Sequence, residues 1–521
     1  MIARKTYLIL INTGITGLLG LVAWYYVANY VPKGDVGVVY FAIAYLGLFS
    51  FISDMGFGAA HVKKVSEGKD LGRCVGTFLT VKLLLVAAYT GFVFLSLFLW
   101  ERGLGRGFET PQHYYMIIMM LAYMIPMQLG DVGMKTFMAR TEVAIQQLAL
   151  LLSGALQLAF TIYVVTHIKN IYIFGSTWVF GALVYFTVNT LYLSRLPLKA
   201  PTRDYFRDYL HFALPLMLVA VLATLPGSVD KVMIQLFWNK EEVARYVGGQ
   251  RFPPYLQKIS AGLSLILFPT ISALHSRNRK GEIIKLMKES ERHLLIVLSP
   301  LIAAMVVLAE PIVVILGDIQ YRDSAPVLIF LAIWVFMYSV NLPYGQLIMG
   351  YGKTRISARV SILSVTSIVL LNLLFIPSDL SQVTTLLLSH PLSPEHNVKL
   401  LGLGAPGAAL ATLLSSILVA VYMRLKVRKL TGHILLPPVR PPVAALISGL
   451  IVYYLIPLIH PVTRYYHLVF YSLLLGGIYL GVLTVMRGFT RKDLKFYLDT
   501  LHPGYLVRYT LKEIREGLRR G

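Results

Sequence analysis

Arg251 and Lys258 lie seven residues apart inside an apolar run, residues 245–270. Seven residues are two turns of an α-helix, so the spacing predicts both cations on one face. A charge inside such a run is costly, roughly 2.5–3.5 kcal/mol on insertion scales, and charges retained there usually face a cavity and bind something. The chemistry open to this pair is electrostatic capture of an anionic group. Asp230, with Lys231 beside it, falls in the preceding run, residues 211–237, at a depth close to that of Arg251. Those two could pair beside a ligand; a purely structural ion pair, or exposure to interfacial water, is the alternative. Lys258 is deeper and has no acidic residue in its own run, which makes it the stronger ligand candidate.

Lys82 lies near the start of the run 76–100, where a lysine can snorkel to the interface, with ligand contact as the alternative. Asp54 and Asp131 sit near the ends of their runs. They suit binding of a cation or, more simply, helix capping or pairing with Lys63, Lys64 or Lys135. Asn12 and Thr16, at i and i+4 among Gly14, Gly17 and Gly20, form a small polar helix face. Such a face lines a cavity or lets helices pack closely.

The elements that must hold these residues follow from composition. Of 521 residues, 56% are hydrophobic and 14% charged, against roughly 25% charged in soluble domains. The mean hydropathy is +0.67. Fourteen apolar runs, each near the ~20 residues that cross a bilayer as a helix, lie between Thr6 and Met486. The expected class is therefore an all-α, polytopic membrane protein with about 14 transmembrane helices. Lys and Arg concentrate roughly fourfold in alternate loops, which predicts a multi-pass protein of the cytoplasmic membrane with both termini cytoplasmic. The net charge of +23 then reports loops facing anionic lipid, not nucleic acid. The single cysteine, Cys74, excludes a disulfide framework and a Cys-based metal site.

Val507, Leu511, Ile514 and Leu518 alternate with Arg508, Lys512, Arg515 and Arg519. That pattern predicts a basic amphipathic helix on the membrane surface, or else a solvated basic tail. Lys33-Gly-Asp-Val-Gly-Val-Val-Tyr40 has a weak echo in Lys240-Glu-Glu-Val-Ala-Arg-Tyr-Val247, six runs later. An offset of six suggests two related halves. Pro126, Pro215, Pro226, Pro253, Pro254, Pro300 and Pro343 interrupt apolar runs and predict kinks. No Walker lysine, HExxH or GxSxG motif is present, and no cofactor or metal is expected.

Several blocks resemble one family. Residues 34–58, which begin Gly34-Asp-Val-Gly-Val-Val-Tyr40 and end Asp54-Met-Gly-Phe-Gly58, are similar to the second-helix signature of the polysaccharide transporter, or Wzx-like oligosaccharide flippase, family. Phe212-Ala-Leu-Pro-Leu-Met217, Val229-Asp-Lys-Val-Met233 and Leu267-Phe-Pro-Thr-Ile-Ser272 resemble its seventh and eighth helices, and the residues from Leu316 to Ala325 its loop before helix ten. Gly402-Leu-Gly-Ala-Pro-Gly-Ala-Ala-Leu-Ala-Thr412 resembles its entry to helix twelve. The superfamily also holds multidrug exporters and lipid II flippases.

The resemblance implies two pseudo-symmetric six-helix lobes around a central cavity that work by alternating access. The lobes would be residues 1–195 and 211–424, with a cytoplasmic linker at 196–210, two additional helices at 440–487 and a basic cytoplasmic tail at 488–521. It further implies a flippase and not an enzyme, with a polyprenyl-linked oligosaccharide as substrate and the surrounding membrane lipids and glycosyltransferases of the same pathway as partners. A cation-coupled multidrug exporter, and behind it a membrane-embedded glycan polymerase or ligase, are the alternatives. Lipid II flippases carry arginines in their first two helices, whereas here Lys33 is the only basic residue between Thr6 and Gly58. A lipid-linked glycan other than lipid II is therefore expected. Its phosphate or diphosphate would meet Lys258 and Arg251, with Asp230, Lys231, Lys82, Asn12 and Thr16 around it and Asp54 and Asp131 available to a coupling cation.

Overall fold

The computed structural model describes residues 2–103, 108–264, 267–388, 397–433, 437–491 and 493. Among the described residues, twenty α-helices and two short 3₁₀ helices, Ser50–Ser53 and Ile319–Ser324, make up the ordered elements, and no strand occurs. The amphipathic tail expected at 503–521 lies outside the described residues. Eleven of the helical segments are long and apolar enough to cross a membrane. The three remaining expected spans are the first, a continuous helix of 29 residues, and the seventh and eighth, which are broken into shorter pieces.

The chain divides into two compact units, with the boundary after Val232. The first holds α1 (Ile2–Tyr30), α2 (Lys33–Phe49), α3 (Phe57–Ser66), α4 (Leu71–Gly103), α5 (Pro111–Ala139), α6 (Val143–His167), α7 (Ile171–Leu193), α8 (Arg203–Thr224) and the start of α9 (Pro226–Phe237). Helix α5 packs on α7 and α2, and α1 on α6. The α5–α7 approach is close because α5 offers glycine there. A Cβ on Gly130 would lie 2.8 Å from the Tyr185 ring, and one on Gly133 would lie 3.0 Å from Asn189. Without a hydrophobic drive between helices in lipid, such small-residue contact is what holds them together. The second expected span breaks at 54–56, where Gly56 takes φ +81° and Met55 φ +44°, left-handed backbone that glycine adopts without penalty. Helix α8 packs on α3 and α4, so the first part of the seventh span belongs with the first unit.

The second unit holds the rest of α9, α10 (Lys240–Gln250), α11 (Pro253–Ser264), α12 (Leu267–Ser276), α13 (Lys280–Val307), α14 (Ala309–Ile315), α15 (Ala325–Gly350), α16 (Thr354–Phe375), α17 (Leu380–Leu388), α18 (Gly404–Thr431), α19 (Arg440–Ile459) and α20 (Tyr465–Val485). Its centre is α15 against α18 and α13, with α19 on α13 and α20 on α19. The prolines act unequally. Pro226 and Pro253 each open a new helix after a break, whereas Pro126, Pro300 and Pro343 lie inside unbroken helices. The two echoing segments each open a helix in their own unit, α2 at Lys33 and α10 at Lys240, with acidic residues in the first turn, where they favour the helix dipole.

The segment after α20 is tied back to α13. Arg292 donates from Nη1 and Nη2 to the two Asp493 carboxylate oxygens at 2.9 and 2.6 Å, and Nη2 also to Gly488 O at 3.1 Å. Thr490 donates to the same carboxylate through N and Oγ1 at 2.8 and 2.7 Å. Burial alone would raise the Asp493 carboxyl, but these hydrogen bonds outweigh it and hold it at about 2. A depressed carboxyl stabilises the fold above its ordinary value of 3.8. That contribution, about 2 kcal/mol, is lost as pH falls from there through 2. Asp493→Asn should therefore melt below the wild type at pH 7, with the gap closing as pH falls from 4 toward 2; differential scanning fluorimetry of the detergent-purified protein checks it.

Candidate functional site

The first unit gathers polar side chains from four elements. Lys82 of α4 is fully buried. Its Nζ donates to Gln128 Oε1 of α5 at 2.8 Å and lies 3.9 Å from Asp54 Oδ1, in the turn between α2 and α3. Asp131 and Lys135 of α5 act on the same cluster electrostatically, and Tyr185 of α7 donates to Asp131 Oδ1 at 3.4 Å. The expected snorkelling of Lys82 is overturned. The break at 54–56 brings a carboxylate alongside α4, and Gln128 offers an acceptor, so the ammonium finds partners inside the protein. Asp54 also accepts from Gly58 N at 3.2 Å, which caps the start of α3. Among the described residues, no cluster of three or more His, Cys, Asp or Glu could hold a metal ion.

Asn12 joins α1 to α6, and Thr16 bonds within its own helix. Asn12 Nδ2 donates to Gln147 Oε1 of α6 at 2.5 Å, and Thr16 Oγ1 donates to Asn12 O at 2.7 Å. Asp230 and Lys231 lie buried in α9, and Lys231 Nζ donates to Gly227 O at 2.9 Å. In the second unit, Arg251 is half-buried at the break between α10 and α11, and Lys258 is exposed on α11. The two cations therefore do not share one continuous helix face. Pro253 and Pro254 cannot supply backbone N–H donors to the preceding turn, and the helix that the spacing implied ends at Gln250. Lys258 Nζ instead stands 5.7 Å from the centre of the Tyr255 ring, within cation–π range, and is the exposed cation of the expected pair.

A second buried ionic group was not foreseen. Glu291 of α13, 3% exposed at its side chain, pairs with Arg424 of α18 at 2.7 Å. Tyr344 of α15 donates to Glu291 Oε2 at 3.2 Å and accepts from Arg424 Nη1 at 2.9 Å. Both charges fall outside the apolar runs, so a search within runs passes over them. The signal was the apolar spacing around Glu291: Met287 at i−4 and Leu294 at i+3 are both buried and place the carboxylate on the inward face.

The family described as polysaccharide biosynthesis protein matches residues 28–326. A curated relative, the "Probable low-salt glycan biosynthesis flippase Agl15" of Haloferax volcanii, is 21% identical over 372 residues, 67% of this chain and 72% of the relative. Among solved structures, the lipid II flippase MurJ in an inward closed conformation superposes with a TM-score of 0.69 at 15% identity, covering 91% of this chain and 98% of that one. An inward-facing multidrug resistance MATE family transporter of the MOP superfamily gives 0.58 at 14% identity, covering 80% and 96%. A MOP superfamily transporter from Pyrococcus furiosus gives 0.55 at 14%, covering 82% and 95%. At such identities the structural likeness establishes the fold alone, an all-helical architecture shared with these proteins. The family match runs over more than half of the sequence, and the chain belongs to the polysaccharide biosynthesis protein family.

Proposed function

We propose that this chain is a flippase that carries a lipid-linked oligosaccharide from the cytoplasmic to the outer leaflet for surface polysaccharide or glycoprotein assembly. It is then a transporter and not an enzyme. The observation that carries this reading is the family match over residues 28–326, supported by a glycan flippase relative aligned over two thirds of the chain. The physical task fits the residues. A sugar and its phosphate link cannot enter hydrocarbon, while the polyprenyl tail can stay there, so the protein must offer cations at membrane depth. The orientation that follows from the loop charges puts both termini in the cytoplasm of a cell whose glycosyltransferases build the substrate there. The backbone breaks at Leu225, at Arg251–Phe252 and at 54–56 give the bundle places to bend during alternating access. A drug exporter coupled to cations would favour unmatched carboxylates, whereas Asp54 and Asp131 lie with Lys82 and Lys135.

In this reading Lys258 and Arg251 meet the lipid phosphate, with Asp230 and Lys231 nearby in sequence order. A charge pair at ~4 Å is worth ~4 kcal/mol at an effective dielectric of ~20, before desolvation is subtracted. Lys258→Ala should abolish glycan export in a complemented deletion strain at normal protein level, Arg251→Ala should impair it, and Lys258→Arg should keep part of it, since loss of charge matters more than its shape. Normal surface glycan with Lys258→Ala would overturn the assignment of that residue.

A further inference from the structure

Between α13, α15 and α19 of the second unit runs an apolar crevice of about 520 Å³, walled by Ile302, Val306, Phe336, Ala445, Leu450 and Tyr453. It extends on α19 from Pro442 to Tyr453, about 16 Å at 1.5 Å per residue, parallel to the spans that cross the membrane. At Val306, Val307 and Tyr453 it meets a second hollow of about 630 Å³ with a different lining. That hollow carries Arg245, Arg322, Glu310 and Asp323, two cations and two anions. Arg322 Nε pairs with Glu310 Oε1 at 2.7 Å, and Arg245 Nε lies 3.8 Å from Asp323 Oδ2. An apolar slot that opens at one end into a charged hollow has the shape of an amphiphile.

We propose that the two hollows form one binding site for a resident membrane lipid whose head carries both a phosphate and an ammonium, with one chain laid in the crevice. The charge of the hollow selects the head. Two arginines meet Glu310, Asp323 and, at 3.1 Å from Arg245, Glu242, a rim without surplus cations that suits a zwitterion, whose phosphate faces Arg322 while its ammonium faces Glu310 or Asp323. A diphosphate-linked glycan would bring excess negative charge to a rim that has no excess of cations. The length selects the tail. About 16 Å along α19 is roughly half of the ~30 Å hydrocarbon thickness, the depth of one leaflet, which an ordinary acyl chain spans and a polyprenyl tail, several times longer, overruns. The lipid thereby sits where α19, one of the two additional helices, meets α13 and α15, and fills a seam that side chains leave open. The site is distinct from Lys258 and Arg251, so it stands whether or not those residues meet the substrate.

Native mass spectrometry of the full-length protein in detergent tests this, with dioleoyl phosphatidylethanolamine, dioleoyl phosphatidylglycerol and undecaprenyl phosphate added in turn. One phosphatidylethanolamine should stay bound after delipidation, at least tenfold more tightly than either other lipid. Arg322→Ala, an exposed position where folding is not at stake, should weaken that retention about tenfold, and Leu450→Trp, also exposed, should do the same by filling the crevice. Equal or tighter retention of phosphatidylglycerol or undecaprenyl phosphate overturns the zwitterionic head. Wild-type retention of phosphatidylethanolamine by both variants overturns the site itself.

Discussion

Lys82→Ala should abolish glycan export and lower stability by about 3 kcal/mol, the scale of breaking a buried ionic contact by removing one partner. Its ammonium donates to Gln128 Oε1 at 2.8 Å and stands 3.9 Å from Asp54 Oδ1. Without it, Asp54 and Asp131 lose one of the two cations of the cluster, keeping Lys135, and repulsion between like charges adds to the lost hydrogen bond. Lys82→Arg should also be poorly tolerated, because a fully buried site shaped for a compact ammonium has no room for a planar guanidinium. The double variant Lys82→Met with Asp131→Asn separates two roles. Removal of both charges should restore most of the melting temperature; if export returns with it, the cluster is only structural. We expect stability without export, measured as melting temperature in detergent beside surface glycan in the complemented strain. A Lys82→Ala protein that melts and exports like wild type would show that the buried contact has no consequence.

The fold was legible because the information that specifies it is local. Runs of apolar residues long enough to span hydrocarbon are read directly, and the echo of Lys33–Tyr40 in Lys240–Val247 marks helix starts in both units. Proline breaks were legible in position but not in outcome: Pro226 and Pro253 open new helices, while Pro126 and Pro343 are absorbed. Whether a missing donor breaks a helix depends on neighbours that can satisfy the freed carbonyl, and neighbours are not written in the local sequence. The same limit explains the site. Lys82 looked like a snorkelling residue because its depth could be counted, whereas its partners come from α5 and from a turn made by Gly56. The polar face of Asn12 suits cavity lining and close packing alike, and its partner, Gln147 of α6, is 135 residues away in the chain. Arg251 and Lys258 were placed on one face by arithmetic that assumes an unbroken helix, and two prolines between them cancel that assumption.

Glu291→Ala should be the most destabilising single change in the second unit, by about 3–5 kcal/mol. The carboxylate is nearly inaccessible, and it joins three helices: Arg424 of α18 at 2.7 Å and Tyr344 of α15 at 3.2 Å both reach it on α13. Its partner Tyr344 belongs to a buried apolar cluster with Met287, Leu347, Met423 and Val427, so water does not screen the pair as it would at a surface. Truncation takes the carboxylate away from a guanidinium that also meets the Tyr344 hydroxyl and ring. Arg424→Ala should cost less, because Glu291 keeps the Tyr344 hydroxyl and can take up a proton, a route closed to arginine. The pair can be replaced where it cannot be halved: Glu291→Gln with Arg424→Met removes both charges at similar volume and should recover most of the loss. Equilibrium unfolding or melting in detergent of the wild type, Glu291→Gln, Arg424→Met and the double variant gives the coupling between the two residues, expected at about 2 kcal/mol or more. Additive losses in that cycle would mean that the two side chains act independently and that packing, not the ionic bond, joins α13 to α18.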